Sequence, residues 1–304
     1  MGNYKNLDSQ TSIFFERELE QIKQRSYDVL KAPLAASRLI PVDATTAPGA
    51  KVVTYRQYDS VGAAKLISNY ADDLPTAEIT GQEFSSFLKS IGNCYIYSLE
   101  DIRAAEFSGK PLEQRKANQA ARAHMEAMNR LAFYGDAEAG VTGWLTSAVA
   151  KDPVETQSSN VAWEDKTPDQ ILIDLNDAVS DIIDETNGAE QPNTVVLPIK
   201  QYQLIATTRM SAGTDTTILQ YFLNNSPVIN EVTWANELKG AFDSGADGFI
   251  VYDRSQDKFW QEIPQAFEQL PVQEYNLSYK IPCHSKHGGV IVPYPKSQVM
   301  RYGI

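Results

Sequence analysis

The strongest constraint on the fold is a long amphipathic helix predicted over about residues 112–133. Pro111 precedes it, and proline favours helix starts because its missing N–H would be unpaired there in any case. Apolar side chains recur along one side at spacings of three and four residues: Ala117, Ala121, Met125, Met128 and Ala132. Charged and amide side chains occupy the opposite side. We therefore expect the helix to bury a face of small residues that another element can approach closely.

The composition is that of a folded globular protein. The chain has 304 residues, of which 42% are hydrophobic and 22% charged, and this balance excludes wholesale disorder. Its 2 Cys exclude a disulfide-stapled scaffold. The sequence contains no run of 18 apolar residues, so no transmembrane helix is predicted. The polar N-terminus lacks the apolar core of a signal peptide. We expect synthesis and folding in a reducing cytoplasm.

The charge is strongly acidic. Against 27 Lys and Arg stand 39 Asp and Glu, for a net charge of −12. Affinity for nucleic acid comes mostly from Lys and Arg on phosphates, so this balance argues against general nucleic-acid binding.

A long β-hairpin is predicted after an N-terminal helix over about residues 11–30. Residues 52–58 and 83–98 are rich in β-branched and aromatic side chains, typical of strands, and the stretch between them lacks periodicity. A hairpin of this kind buries little of its own surface and is marginally stable alone. We therefore expect it to need a partner surface.

A second helix has a clear start signal at Thr167. The Thr-Pro-Asp-Gln sequence over 167–170 combines a capping residue, proline at the first helical position and glutamine three residues on. The acidic side chains of this helix are expected on its solvated face: Asp174, Asp177, Asp181 and Asp184. After several short helices and strands, the tail from about residue 275 alternates in the manner of β-strands.

Two glycine-rich stretches match ligand-binding loops only in part. Gly135, Gly140 and Gly143 lack the lysine and the preceding strand that phosphate-binding loops require, so they predict a turn after the long helix. Residues 243–254 begin like a calcium loop, but Arg254 stands where the bidentate glutamate belongs. We expect a tight turn there.

Three of the chain's five Cys and His residues cluster within residues 283–287, whereas Cys94 and His124 lie far away in the sequence. Cys283, His284 and His287 match no standard zinc spacing, so a polar loop between strands is the preferred interpretation. Without supporting context for a nucleophile–base pair, no catalytic constellation is predicted. His124 lies within the long helix and is expected to pack or form hydrogen bonds. The chain is therefore predicted not to be an enzyme and to have no cofactor, metal or catalytic residue.

Several segments together resemble the major capsid proteins of tailed bacteriophages. The resemblance is strongest over about residues 6–145, weaker in the middle and partial at the end, and it rests on the order and spacing of its pieces. The matching pieces are Ser12-Ile13-Phe14-Phe15-Glu16-Arg17-Glu18, Arg38-Leu39-Ile40-Pro41-Val42, Thr54-Tyr55-Arg56-Gln57-Tyr58-Asp59, Asn69-Tyr70-Ala71-Asp72-Asp73-Leu74-Pro75, Ile102-Arg103-Ala104-Ala105, Ala132-Phe133-Tyr134-Gly135-Asp136 and His287-Gly288-Gly289-Val290-Ile291-Val292.

This resemblance implies an α+β Hong Kong 97-like capsid fold with four parts. Residues 1–48 would form an N-terminal arm with a helix, and residues 49–97 the extended loop, a long β-hairpin. Residues 98–164 and 265–304 would form the peripheral domain, with the spine helix at 112–133. Residues 165–264 would form the axial domain.

The resemblance also implies function and partners. Copies of the chain would assemble into hexamers and pentamers, and these into an icosahedral head shell that encloses double-stranded DNA without sequence-specific binding. A portal protein, a separate scaffolding protein and a decoration protein are the other expected partners; no membrane is involved. The extended loop supplies the candidate assembly contacts Tyr58, Lys65, Asp72, Asp73 and Pro75.

Two alternatives stay open at the level of sequence. The first is an encapsulin-type shell protein, which shares the fold but encloses cargo enzymes in place of a genome. The second is a cytoplasmic hydrolase that uses Cys283, His284 and His287.

Overall fold

The computed structural model describes residues 31–61, 78–108, 115–154, 162–211 and 213–304. The chain divides into two units, residues 1–33 and 34–304, and the architecture below is that of the second unit. The predicted helix over residues 11–30 lies outside the described residues.

Helices and strands alternate irregularly along the described chain. The helices are α1 (Ala36–Leu39), α2 (Leu99–Ser108), α3 (Arg115–Tyr134), α4 (Pro168–Glu185), α5 (Ile199–Thr207) and α6 (Ile218–Asn225). The strands are β1 (Val42–Asp43), β2 (Val52–Val61), β3 (Glu78–Phe87), β4 (Lys89–Ser98), β5 (Ala150–Pro153), β6 (Thr194–Leu197), β7 (Glu231–Trp234), β8 (Gly248–Tyr252), β9 (Trp260–Glu262), β10 (Gln265–Gln269), β11 (Gln273–Tyr275), β12 (Ser278–His287), β13 (Val290–Ile291) and β14 (Gln298–Tyr302).

A five-stranded mixed sheet in the order β5-β14-β8-β6-β7 carries the main core. Its central strands β6 and β8 are buried along their whole length, as their β-branched and aromatic sequences favour. Alternation along β8 divides its side chains between two clusters. Phe249 and Val251 pack with α4 and α6, whereas Ile250 and Tyr252 pack with Trp144 and Phe259. One strand thus joins the two halves of the core.

The hairpin prediction needs a correction at Leu88. β2 and β3 form the expected antiparallel pair, but the predicted second arm, residues 83–98, divides into β3 and β4. β4 leaves the hairpin and pairs with β12 over ten positions, from Ser98↔Ser278 to Lys89↔His287. Leu88, between the two strands, is buried, so the chain is anchored where it passes from one sheet to the other.

The long helix α3 forms where it was predicted, but it buries a different face. Ala132 is buried as expected, whereas Met125, assigned to the buried stripe, is 47% exposed. The buried face includes His124 and Asn129. Both have hydrogen-bond partners, which replace the water contacts that burial removes. His124 lies between β4 and β12, with its two ring nitrogens 2.8 Å from Ser285 Oγ and 2.9 Å from Asn93 Oδ1. This confirms its expected hydrogen-bonding role.

The capped helix confirms its start signal and corrects one exposed position. The Thr167 side chain accepts from the Gln170 backbone N–H, and the Gln170 side chain accepts from that of Thr167. Asp177 and Asp184 are exposed as predicted, but Asp174 is buried. It is buried because Lys166 and Trp163 both donate hydrogen bonds to it.

The tail contributes to three sheets, one of them through the pairing of β13 with β9. β12 lies beside β4 and contacts α3, and β14 lies between β5 and β8 in the central sheet. The division of residues 98–304 into peripheral and axial domains stays a prediction.

Candidate assembly surface

The hairpin of β2 and β3 is a two-stranded ribbon with two open edges. Its ten residue pairs run from Val52↔Phe87 to Val61↔Glu78. Among the described strands, β2 and β3 pair only with each other. Both outer edges therefore leave backbone N–H and C=O groups available to another chain.

The outward face of this ribbon carries the side chains best suited to a contact. Tyr58 is 66% exposed, and its ring lies over Gly81, where a Cβ atom would come within 3.0 Å of Tyr58 Cε1. Arg56 donates a hydrogen bond of 2.7 Å to the Glu83 carboxylate on the opposite strand. Near the end of the ribbon, Ile79 is 74% exposed. Tyrosine and arginine are enriched at protein interfaces, so this face resembles an unoccupied contact surface.

The inward face of the ribbon is only partly packed on the rest of the unit. Tyr55 stacks on Phe84, with ring centroids 5.4 Å apart, and meets the edge of Trp260 at 6.4 Å. Burial raises the pKa of the Tyr55 hydroxyl. Between the ribbon and residues 290–293 lies a cavity of about 230 Å³. The inward face thus packs on the body through a few aromatic contacts beside this cavity.

A second exposed apolar surface lies on the turn between β11 and β12 and next to it. We call Val272, Tyr275 and Leu277 the tip patch; all three are large apolar side chains that are exposed. The backbone N–H of Leu99, at the start of α2, donates to the carbonyl of Leu277, so α2 begins beside this patch. Sequence reasoning missed these residues. Large apolar side chains alternate with polar turn residues over 270–277, and this pattern could have indicated an exposed apolar patch.

The structure describes one of the five predicted contact residues. Tyr58 lies on the outward face of the hairpin, and its role in assembly stays a prediction. Lys65, Asp72, Asp73 and Pro75 lie outside the described residues and stay predictions.

The Cys and His residues near the C-terminus do not form a catalytic pair. Cys283 and His287 lie four residues apart on β12, which separates them by about 13 Å along the strand. His284 falls between them, on the other side of the strand. His287 is buried; its Nδ1 accepts from the Gly289 N–H, and burial lowers its pKa to about 4. Within the described ranges, no three His, Cys, Asp or Glu side chains are placed to hold a metal.

The two glycine-rich stretches form turns, as expected. Gly135 and Gly140 have positive φ angles, and a Cβ on Gly143 would come within 2.2 Å of the Gly135 nitrogen. At Asp243–Gly245 the chain forms a single 3-10 turn before β8. Arg254 pairs with Glu231 at 3.0 Å, so its guanidinium has a structural partner.

None of the described helices combines the length and apolar character needed to span a bilayer.

A two-stranded hairpin, a long helix packed on a β-sheet and a mixed central sheet agree with the Hong Kong 97-like fold that the resemblance implies. Solved structures share this arrangement. The chain is similar to one titled the capsid of Myoviridae phage XM1, with a TM-score of 0.82 and 16% identity, covering 97% of this chain and 100% of that one. It is also similar to a structure from Mycobacterium phage Ogopogo, with a TM-score of 0.62 and 14% identity, covering 96% and 99%.

A virus-like particle from Pyrococcus furiosus is a more distant structural match. Its TM-score is 0.52 at 11% identity, covering 89% of this chain and 92% of that one. Among curated proteins, none matches the sequence.

The family model described as major capsid protein matches residues 62–304, which is most of the chain. This chain therefore belongs to the major capsid protein family. The resemblance to tailed-phage capsid proteins and the α+β Hong Kong 97-like fold are both confirmed. Its family and structural neighbours are structural shell proteins, so the chain is not an enzyme and the hydrolase alternative was wrong.

Proposed function

We propose that copies of this chain assemble into hexamers and pentamers that close into the icosahedral head shell of a tailed phage, enclosing its double-stranded DNA. The hairpin is the observation that carries this proposal. A ribbon with two open edges and a partly packed inner face is marginally stable by itself. A neighbouring copy supplies the missing surface.

The outward face offers enough apolar surface for a repeated contact. Burying Tyr58 and Ile79 against a neighbour contributes on the order of 1.5–3 kcal/mol for each side chain. A contact of that size is weak in a single pair. Repeated at every subunit of a closed shell, it becomes a stable assembly, because each copy is held by several neighbours at once.

The remaining partners follow from the same proposal. Lys65, Asp72, Asp73 and Pro75, which lie between β2 and β3 in the sequence, are the further contacts that we propose with the neighbour. A portal protein, a separate scaffolding protein and a decoration protein complete the head, which is assembled in the host cytoplasm. The net charge of −12 suits a shell whose inner wall does not grip DNA. A charge map of the assembled shell tests this last point, and an inner wall dominated by Lys and Arg would contradict it.

Negative-stain microscopy of the purified full-length chain tests the assembly itself. We expect shells of uniform size, and a stable monomer at high concentration would contradict the proposal. Tyr58→Asp places a charge in the contact and should abolish shells. Tyr58→Phe keeps the ring and is the matched control, which should assemble like the unmodified chain. Equal assembly of both variants would remove Tyr58 from the contact.

The contents of the particle distinguish a phage head from the encapsulin-type alternative. Particles isolated from infected cells should contain double-stranded DNA and a portal at one vertex. Particles that contain a cargo enzyme and no nucleic acid would support the alternative.

A further inference from the structure

A buried lysine lies at the base of the hairpin. Lys286 is on β12, where its backbone is flanked by Ser90 of β4 and Gln265 of β10, so its position is fixed by two neighbouring strands. Its ammonium donates hydrogen bonds to the carbonyls of Pro48, at 2.8 Å, and Ala50. No described carboxylate forms an ion pair with it. A buried cation depends on such hydrogen bonds, because its lost hydration must be replaced.

Those two carbonyls lie just before β2, at the first root of the hairpin. Residues 47–50 form a turn in which the Ala50 N–H donates to the Ala47 carbonyl, and β2 begins two residues later. Lys286 therefore holds the chain at the point where it enters the ribbon.

The second root is held by the same short segment of β12 and the turn after it. The Ser86 hydroxyl donates to the Gly288 carbonyl at 2.9 Å, and the Leu88 N–H donates to the Lys51 carbonyl at 2.9 Å. A Cβ on Gly288 would come within 2.5 Å of Leu88 Cδ2, which shows how closely the root approaches this turn. Residues 286–288 thus contact the chain just before β2 and the end of β3.

Beyond these roots, the inward face of the ribbon packs on the body only in part. Tyr55 meets the edge of Trp260, and beside this contact a cavity of about 230 Å³ lies between the ribbon and residues 290–293. The hydrogen bonds at the base therefore contribute to the orientation of the hairpin together with these few aromatic contacts.

We propose that Lys286 is a positioning residue that orients the hairpin on its own subunit, so that the outward face meets the next copy. This inference deepens the proposed assembly function and rests on it. The ammonium extends from a strand that is paired on both sides and donates hydrogen bonds to two carbonyls. Two such bonds restrain both the position and the direction of the chain that enters the hairpin. Charge-assisted hydrogen bonds of this kind are about twice as strong as neutral ones.

Hydrogen exchange on the unassembled full-length chain tests the positioning role of Lys286 before any shell forms. In Lys286→Met, the amides of Ala50 and Leu88 should exchange at least about tenfold faster, while the amides of β8 keep their rates. Lys280→Met is the matched control, a half-buried lysine on the same strand and the same side, and should leave Ala50 and Leu88 unchanged. Unchanged rates in Lys286→Met, or equal acceleration in β8, would overturn the proposal.

A milder variant keeps the test decisive if Lys286→Met fails to fold. Lys286→Gln retains a hydrogen-bond donor without the charge and should give an intermediate acceleration at Ala50 and Leu88. Wild-type rates in this variant would overturn the proposal.

The rate of assembly, monitored by light scattering, tests whether the positioning by Lys286 affects shell formation. Lys286→Met should assemble at least about tenfold more slowly than Lys280→Met. Equal assembly rates would show that hairpin orientation does not serve assembly and would overturn the inference. Failure of the unmodified chain to form shells would instead contradict the proposed function, so the two failures are distinguishable.

Discussion

The Lys166 ammonium and the Asp174 carboxylate form an ion pair of 2.7 Å in which each side chain is about 1% exposed. Trp163 Nε1 donates to the same oxygen, Asp174 Oδ2, at 2.8 Å. Burial raises the pKa of Asp174, and the hydrogen bond and charge of Lys166 oppose that rise. The pair ties the residues before α4 to the face of the helix that packs on the central sheet.

Breaking this pair should destabilise the subunit strongly. Lys166→Met leaves the Asp174 carboxylate buried without its cation, and we expect a loss of about 3–5 kcal/mol in the free energy of unfolding. Urea denaturation of the full-length chain measures it. Lys166→Met combined with Asp174→Leu should recover most of the loss, because apolar side chains often replace a buried ion pair at little cost.

The exposed pair of Lys200 and Glu164 is the matched control for that experiment. Its side chains are 67% and 51% exposed, so Lys200→Met should leave the free energy of unfolding nearly unchanged. Equal losses in Lys166→Met and Lys200→Met would show that burial does not determine the strength of the first pair.

His287 should make the subunit less stable in mild acid. Burial lowers its pKa from 6.5 to about 4, so the unfolded chain binds a proton over a pH range in which the folded chain does not. The contribution of His287 to the free energy of unfolding is therefore fully present above pH 6.5 and is lost as the pH falls toward 4. Over that window the free energy of unfolding should decrease by up to about 1.4 kcal/mol per pH unit from this residue.

Urea denaturation at a series of pH values measures that dependence. His287→Asn should reduce the slope between pH 6.5 and 4, whereas replacing the half-exposed neighbour, His284→Asn, should preserve it. A slope that is the same in all three proteins would assign the acid sensitivity to other groups.

Gly143 should not tolerate a side chain. A Cβ there would meet backbone atoms of the preceding turn, at 2.2 Å from the Gly135 nitrogen and 2.6 Å from the Phe133 carbonyl oxygen, and backbone cannot move aside as a flexible side chain can. We expect Gly143→Ala to cost about 1–3 kcal/mol in thermal or urea unfolding. Gly213→Ala, with nothing within 4 Å of its added Cβ, should stay within about 1 kcal/mol of the unmodified chain.

The two cysteines should differ sharply in reactivity. Cys94 is exposed, whereas Cys283 is buried, and burial raises the pKa of the Cys283 thiol. A thiol reagent added to the folded, unassembled chain should therefore modify one cysteine rapidly and the second only after denaturation. Cys94→Ser should remove the rapid phase. Two rapid equivalents in the unmodified chain would place Cys283 at the surface.

Local sequence signals predicted the elements that local chemistry builds. The capping residues Thr167 and Gln170 lie three positions apart, and their reciprocal hydrogen bonds form within one helical turn. The pairing of β2 with β3 likewise follows from two strand-forming stretches that are close in sequence. The turn at Gly135 and Gly143 was predicted from glycine spacing alone.

The errors arose where the surroundings of a side chain do not follow from the periodicity of its own helix or strand. Asp174 appeared solvated because the spacing of a helix reveals which residues share a face, whereas burial depends on what packs against that face. Asn129 was assigned to the polar side of α3, but its amide donates to Glu237, a residue 108 positions away. The end of the hairpin at Leu88 was missed because the competing partner of β4 is β12, near the C-terminus.

By itself, the sequence determined the class of protein, the long helix, the capped helix and the existence of a hairpin. Each of these depends on periodicity, capping chemistry or motif order, which neighbouring residues carry. Only the tertiary structure decided which face of α3 is buried, where the hairpin ends, and that Lys286 and Gly288 contact its two roots. Those properties depend on contacts between residues 108 to 238 positions apart, and the free energy of such contacts exists only once the chain has brought them together.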